Sequence, residues 1–501
     1  MNPIIKGFFP DPSICKTEKG YYLVTSSFEY YPGVPIFHSK DLVNWEQIGN
    51  VLDRESQLPI SHVGISGGIF APVIRYHDGL FYMITTIIPD GKNFIVTTED
   101  PGGSWSEPIL VNMKNIDPSL LFDDDGKVYY TGTSPWDGKS QPGIYQAEID
   151  VKTGRLLTDY QLIWTGTGGR YPEGPHLYKI GNIYYLMISE GGTETGHFVT
   201  IARSESPWGP FESCPDNPIL TNHDQPYSNP VQNSGHADLI QAEEGKWWLV
   251  HLAVRNVNKH HHLGRETFLL PVEWTDEDWP VVNKDGISQI DIYVIPPAKQ
   301  EIVNPYGEYE FDKVFGPEWN YIRNPELKNY SLDKHNSTLR LKGSSYRLDD
   351  LASPTFIGIR QKDFNIDLTA KLKFQPLKDG EEAGITAFMT PEHFYTASII
   401  RENGVNYTVS TMKIGMIKHF SGKTRMNSSE VYLRIKADSL NYSLYCSEDN
   451  TNWKLLGQNY ARLLSSETAG TFTGTYLGMY ATGNGTECEN YVEFDFFKYL
   501  N

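Results

Sequence analysis

The chain has 501 residues and carries 43 Lys and Arg against 62 Asp and Glu, a formal net charge of −19. That length suggests two or three domains, and a surface this acidic repels phosphates, which argues against nucleic acid or a membrane as partner. No stretch approaches the ~20 apolar residues of a membrane span, no secretory leader is read at the start, and four scattered cysteines (Cys15, Cys214, Cys446, Cys488) fit reduced thiols in a cytoplasmic protein.

Aromatic residues make up 13% of the chain, with 31 Tyr and 11 Trp beside 44 Gly. Such a composition predicts a β-rich protein with side chains suited to stacking on sugar rings. One pattern recurs five times: DPSICKTEKGYYLVTSS from Asp11, APVIRYHDGLFYMITT from Ala71, DPSLLFDDDGKVYYTGTS from Asp117, EGPHLYKIGNIYYLMISE from Glu173 and HADLIQAEEGKWWLVHLA from His236. In each copy a turn joins two runs rich in Tyr, Ile, Val and Trp, which predicts a hairpin. A second echo follows in HSKDLVNW, TTEDPGGSW and ARSESPW. Each repeat therefore reads as a sheet of about four strands, and the set as a five-bladed β-propeller over residues 1–298.

In a propeller the first strand of each blade lines the central channel, so equivalent repeat positions converge there. The copies open on Asp11, Ala71, Asp117, Glu173 and His236. A single Asp before Pro reads as well as a turn or cap residue. Three acids at one repeat position are harder to assign to turns, because like charges crowded around an axis repel and desolvate one another. Two carboxyl groups flanking a bond in an aromatic pocket are what glycoside hydrolysis uses, one protonated and one ionised. A third nearby carboxylate would raise the pKa of the acid. Calcium binding is the competing reading, without D-x-D spacing to support it.

The strings GFFPDPSI, SSFEYYPGVPIFHSKDLVNW, SGGIFAP, NIDPSLLF, EGPHLYKI, SGHADLI and LGRET resemble family 43 glycoside hydrolases of the β-xylosidase and α-L-arabinofuranosidase type. The resemblance implies an inverting mechanism with Asp11 as general base, Glu173 as general acid and Asp117 holding Glu173 in place with its pKa high. It implies Arg265 of LGRET as a pocket arginine that bonds sugar hydroxyls and offsets carboxylate repulsion. Phe28, Trp136 and Thr193 match positions that contact the first sugar, with ordinary core packing as the alternative. Phe70 stands in GGIFAP where many family β-xylosidases read GGxWAP, which alters the platform beside the scissile bond. His197 and His236 fall near the pocket or channel. His236 matches a histidine that in some relatives helps hold calcium; no cofactor is otherwise expected. The run His260, His261, His262 reads as a solvated loop.

After residue 298, IPPAKQEIVNPYGEYEFDK reads as a linker. Residues 308–501 then alternate in short strands such as STLRLKGS, FNIDLTAKLKF, AGITAFMT and VYLRIKAD, predicting a jelly-roll-like β-sandwich. By resemblance, Phe472 leans from the sandwich into the propeller pocket and restricts it to chain ends. The expected activity is release of terminal D-xylose from small β-1,4-xylo-oligosaccharides, with α-L-arabinofuranosidase as the alternative and a homo-oligomer left open. A non-catalytic sugar-binding propeller would have lost one of the three acids. A retaining fructan-cleaving enzyme would carry RDP and EC where this chain has IDP and EGP.

Overall fold

Each repeat folds as the antiparallel hairpin its sequence predicts, in a computed structural model that describes residues 2–292, 307–312 and 315–501. The inner pairs are Ser13–Thr17 with Gly20–Val24, Val73–His77 with Leu80–Ile88, Ser119–Phe122 with Val128–Thr133, Glu173–Ile180 with Ile183–Glu190, and Val231–Gln241 with Trp247–Arg255. Outer strands complete five sheets of four or five strands, one per repeat, and their innermost strands neighbour one another in a closed ring. Apolar side chains such as Leu23, Met83, Tyr130, Leu186 and Leu249 fill the layers within and between the blades.

Two devices close the ring. The N-terminal segment runs along the third strand of the last blade: Ile4 N–H donates to Thr267 O at 2.9 Å, and the Asn2 amide exchanges hydrogen bonds with the Leu269 backbone at 2.9 and 3.0 Å. In the channel, fully buried Asp238 of the fifth blade accepts from Ser13 Oγ at 2.7 Å, Arg75 Nη1 at 3.0 Å and Tyr178 Oη at 2.6 Å. One carboxylate thus ties four blades together. Burial opposes its charge, but Arg75, His176 and these donors hold its pKa down at about 2.

The second domain is a sandwich of two antiparallel sheets. Strand Glu430–Ala437 alternates buried and partly exposed residues, as expected with one face on a core. Glu382–Thr390 is buried at all nine positions, because its sheet is covered on both sides. One face packs on the sandwich core through Ile385, Ala387 and Met389. The other, with Phe356, Phe388, Phe394, Tyr476 and Tyr480, packs on Phe8, Phe28 and Tyr30 of the propeller.

The two domains are further stitched by strand Tyr321–Ile322 pairing with Tyr30–Tyr31 and by Asp363, which takes Lys6 at 2.9 Å and Arg255 at 3.1 Å. The histidine run is not the solvated loop expected of it. His261 and His262 are buried, His261 Nδ1 lies 2.6 Å from Glu467 Oε1, and His262 O accepts from Thr475 N–H at 3.0 Å. The run looks exposed in sequence because its cover arrives from the other domain. Of the expected boundaries, residue 298 lies outside the described residues, while 308 falls within strand Gly307–Glu310, paired with Tyr491–Leu500.

Candidate active site

In four of the five repeats a left-handed residue stands at or just before the inner strand; Ala71 of the second blade is not left-handed. Asp11 (φ 54°), Asp117 (φ 54°) and His236 (φ 45°) hold this conformation. In the fourth blade it belongs to Gly174 (φ 58°), not to Glu173. The repeat therefore aligns on Gly174-Pro175 with Asp11-Pro12 and Asp117-Pro118, and Glu173 sits one residue before the equivalent position. The register of its hairpin shifts between Glu173 and His176. Gly174 is required here, since a Cβ would lie 3.0 Å from the His236 ring on a backbone that L residues disfavour.

Hydrogen bonds between blades fix these positions. Gly174 N–H donates to Asp117 Oδ2 at 3.0 Å, and His236 N–H donates to Ser189 Oγ at 2.6 Å. Arg265, at the start of the third strand in the last blade, donates from Nη1 to Asp11 Oδ1 at 2.9 Å and to Thr193 Oγ1 at 3.0 Å. Ser26 Oγ donates to Asp11 Oδ2. Ser26 was not read from the sequence; its place at the end of the strand after Asp11 was the available signal.

The three acids differ in electrostatic setting. Burial opposes the charge of Asp11, but Arg265, His236 and the Ser26 hydroxyl together hold its carboxyl below the usual range. Burial pushes Asp117 up, with Asp11 adding to the effect against His236, the Gly174 N–H and Arg265. Glu173 is pushed well above its ordinary value, first by burial and then by the negative charges of Asp117 and Asp11. Its carboxyl has no hydrogen-bond donor among the described residues, so nothing there favours the ionised form. One carboxylate held ionised beside a carboxyl held protonated is the pair that glycoside hydrolysis requires.

Phe28, Phe70 and Phe472 come together around Arg265. Phe28, also left-handed (φ 48°), is buried with its ring 5.1 Å from Phe70 and 6.1 Å from Phe472. The Arg265 guanidinium lies 5.5 Å from the Phe28 ring and 5.8 Å from that of Phe472. Phe472 is half-exposed, and its loop is pinned by Ser66, whose Oγ accepts from Phe472 N–H at 3.0 Å and contacts Thr471 Oγ1 at 2.8 Å. Ser66 was also missed in the sequence. Trp136 is half-exposed on the loop after Thr133 and packs over Gly91.

His197 and His236 both lie close to Asp11. His197 is buried with its ring against the Gly235 backbone, and Nδ1 lies 3.2 Å from Asn233 O. Burial, then His236, keep its pKa down at about 3, so it is neutral. His236 packs over Gly174 with Nδ1 3.9 Å from Asp11 Oδ1. Among the described residues no group of three or more His, Cys, Asp or Glu is arranged to hold a metal.

Comparison with known proteins settles the family. The model for "Glycosyl hydrolases family 43" matches residues 1–280, and that for "Beta xylosidase C-terminal Concanavalin A-like domain" matches residues 308–500. The chain is a family 43 glycosyl hydrolase. It is 41% identical to a non-reducing end alpha-L-arabinofuranosidase of Bacteroides ovatus, over 99% of this chain and 94% of that one. A xylosidase/arabinosidase of Butyrivibrio fibrisolvens is 40% identical, over 99% and 98% of the two chains. Among solved structures, a xylan beta-1,4-xylosidase from Bacillus halodurans superposes with a TM-score of 0.92 at 32% identity, covering 100% of this hydrolase and 99% of that chain. Among the described residues no helix is long and apolar enough to cross a membrane. All four cysteines are buried and free.

Proposed function

We propose that this family 43 hydrolase is an inverting exo-glycosidase that removes one terminal pentose from the non-reducing end of short plant-wall oligosaccharides. The proposed sugar is D-xylose in β-1,4 linkage. The carrying observation is the electrostatic split between Asp11, held ionised by Arg265, and Glu173, held protonated by burial and by its acidic neighbours.

In this reading Asp11 takes a proton from water as the water attacks the anomeric carbon, and Glu173 gives its proton to the departing oxygen. Asp117 does not touch the reacting atoms; it sustains the pKa of Glu173 and, through Gly174 N–H, its position. Arg265 and Thr193 offer donors to sugar hydroxyls, and Phe28, Phe70 and Phe472 enclose the ring. Because Phe472 enters from the second domain, it shuts one side of the cavity, and only a chain end fits. α-L-Arabinofuranose is the second reading, favoured by the name of the Bacteroides ovatus relative. The two sugars present similarly placed hydroxyls, so one pocket can accept both.

Rates on p-nitrophenyl β-D-xylopyranoside and α-L-arabinofuranoside, with proton NMR of the first anomer released, test the assignment. Release of α-xylose from the β-xyloside is expected, and the β-anomer would overturn inversion. Asp11→Ala and Glu173→Ala should each lose several orders of magnitude in turnover on a sugar leaving group; near-normal rates in either would refute its role.

A further inference from the structure

Tyr171 stands two residues before Glu173, is 64% exposed, and holds a left-handed backbone (φ 53°). That conformation is disfavoured for an L residue with a bulky side chain, and an exposed ring returns little by burial. Asn or Gly would serve the turn better. The surroundings nevertheless hold this ring in place. Glu190 is fully buried and its carboxylate faces no cation in any ion pair among the described residues. It accepts from Thr167 N–H at 3.0 Å, Gly169 N–H at 2.8 Å, Thr167 Oγ1 at 3.0 Å and Thr200 Oγ1 at 2.8 Å. These bonds fasten the loop that leads into Tyr171.

The next strand connection is locked to the same loop. Gly191 N–H donates to Arg170 O at 2.6 Å, and a Cβ on Gly192 would lie 3.2 Å from the Tyr171 ring. The ring therefore lies against the backbone of residue 192, beside Thr193, whose hydroxyl accepts from Arg265. Arg170 places its guanidinium 5.5 Å from the ring centroid. An exposed aromatic on a fastened loop thus sits two residues before the acid and against the connection that carries Thr193.

We infer that Tyr171 is the stacking platform for the leaving group, and that this group is a xylopyranose. The inference rests on Glu173 acting as the acid, since the leaving sugar departs on the acid's side. A xylopyranose with equatorial hydroxyls has flat C–H faces that fit an aromatic ring, and Arg170 beside the ring, whose Nη2 donates to Gly191 O at 3.3 Å, has further N–H groups to offer its hydroxyls.

The test compares a xylopyranose-leaving substrate with one that has no leaving sugar. kcat/KM is measured on xylobiose and β-D-xylosyl fluoride, or on α-L-arabinofuranosyl-xylobiose and α-L-arabinofuranosyl fluoride, whichever pair the wild type cleaves faster. In Tyr171→Ala the disaccharide-to-fluoride or trisaccharide-to-fluoride ratio should fall about tenfold, mainly through KM. Tyr171→Phe and Tyr171→Trp should keep it within about twofold. An unchanged ratio in Tyr171→Ala, or equal losses on both substrates, overturns the platform while leaving the glycosidase reading standing. A wild type inactive on every one of these substrates overturns both.

Discussion

Arg265 Nη1 bonds Asp11 Oδ1 at 2.9 Å and Thr193 Oγ1 at 3.0 Å, so one buried guanidinium joins the first, fourth and fifth blades. Removing it strands a buried carboxylate, a loss of about 3–5 kcal/mol for such pairs. Arg265→Gln should lower kcat/KM by at least about 100-fold. It should also move the acid limb of the pH profile upward, because Asp11 loses the strongest charge that keeps it ionised. An acid limb that stays in place would separate Arg265 from Asp11.

Asp117 carries a different expectation. Its negative charge is the largest contributor after burial to the high pKa of Glu173. Asp117→Asn should therefore lower the pH at which activity fades on the alkaline side, since the acid then surrenders its proton sooner. A pH–rate profile that superposes on the wild type would remove that role.

Gly174 links strand geometry to chemistry. Gly174→Ala forces a Cβ to within 3.0 Å of His236 at φ 58°. The strain should cost about 1–2 kcal/mol in urea denaturation. Turnover should fall further than stability, because the N–H that bonds Asp117 is displaced. A variant as stable and as active as wild type would contradict this.

Ser66 tests the contribution of the second domain. Ser66→Ala removes the acceptor of Phe472 N–H without touching the acids. Loss of one such bond predicts a KM increase of about 3–10-fold with kcat little changed. Titration with a competitive sugar should show the same weakening; unchanged affinity would mean that Phe472 is held without Ser66.

Asp238 governs acid stability. Its pKa of about 2 lies below the ordinary 3.8, so its stabilisation is present above the ordinary value and drains away as pH falls through about 2. The contribution is on the order of 2 kcal/mol. Asp238→Asn should flatten this part of the stability–pH curve. At pH 7 it should cost about 3–5 kcal/mol, because Arg75 is left unpaired in the channel. Parallel curves for variant and wild type would exclude the linkage.

Asp11 and Asp117 were legible because a repeat exposes equivalent positions, and turn-joined aromatic runs announced each hairpin. Glu173 was read one step out of register: its acidity drew the alignment, whereas the prolines and the left-handed backbone mark Gly174. Ser26 and Ser66 act through where their strands or loops end, and common hydroxyl residues carry no signal of that. Asp238 sat in the quoted SGHADLI string, yet its partners Arg75 and Tyr178 come from other repeats. The histidine run and Phe472 show the same limit more sharply. Their burial or placement depends on a surface 206 and 406 residues away in sequence, and local polarity misled for the first. For Phe472 only resemblance to relatives pointed to the pocket.

The loop bearing Phe472 has an evolutionary corollary. On the proposed reading, a cavity whose wall belongs to one module and whose reactive groups belong to another cannot have its halves reshuffled freely. Recombination that grafted a foreign partner onto this propeller would leave the site open along one flank. Ancestral exchange should therefore have moved the two modules as an inseparable pair, and chimaeras that violate that pairing should accept longer, internally bound chains.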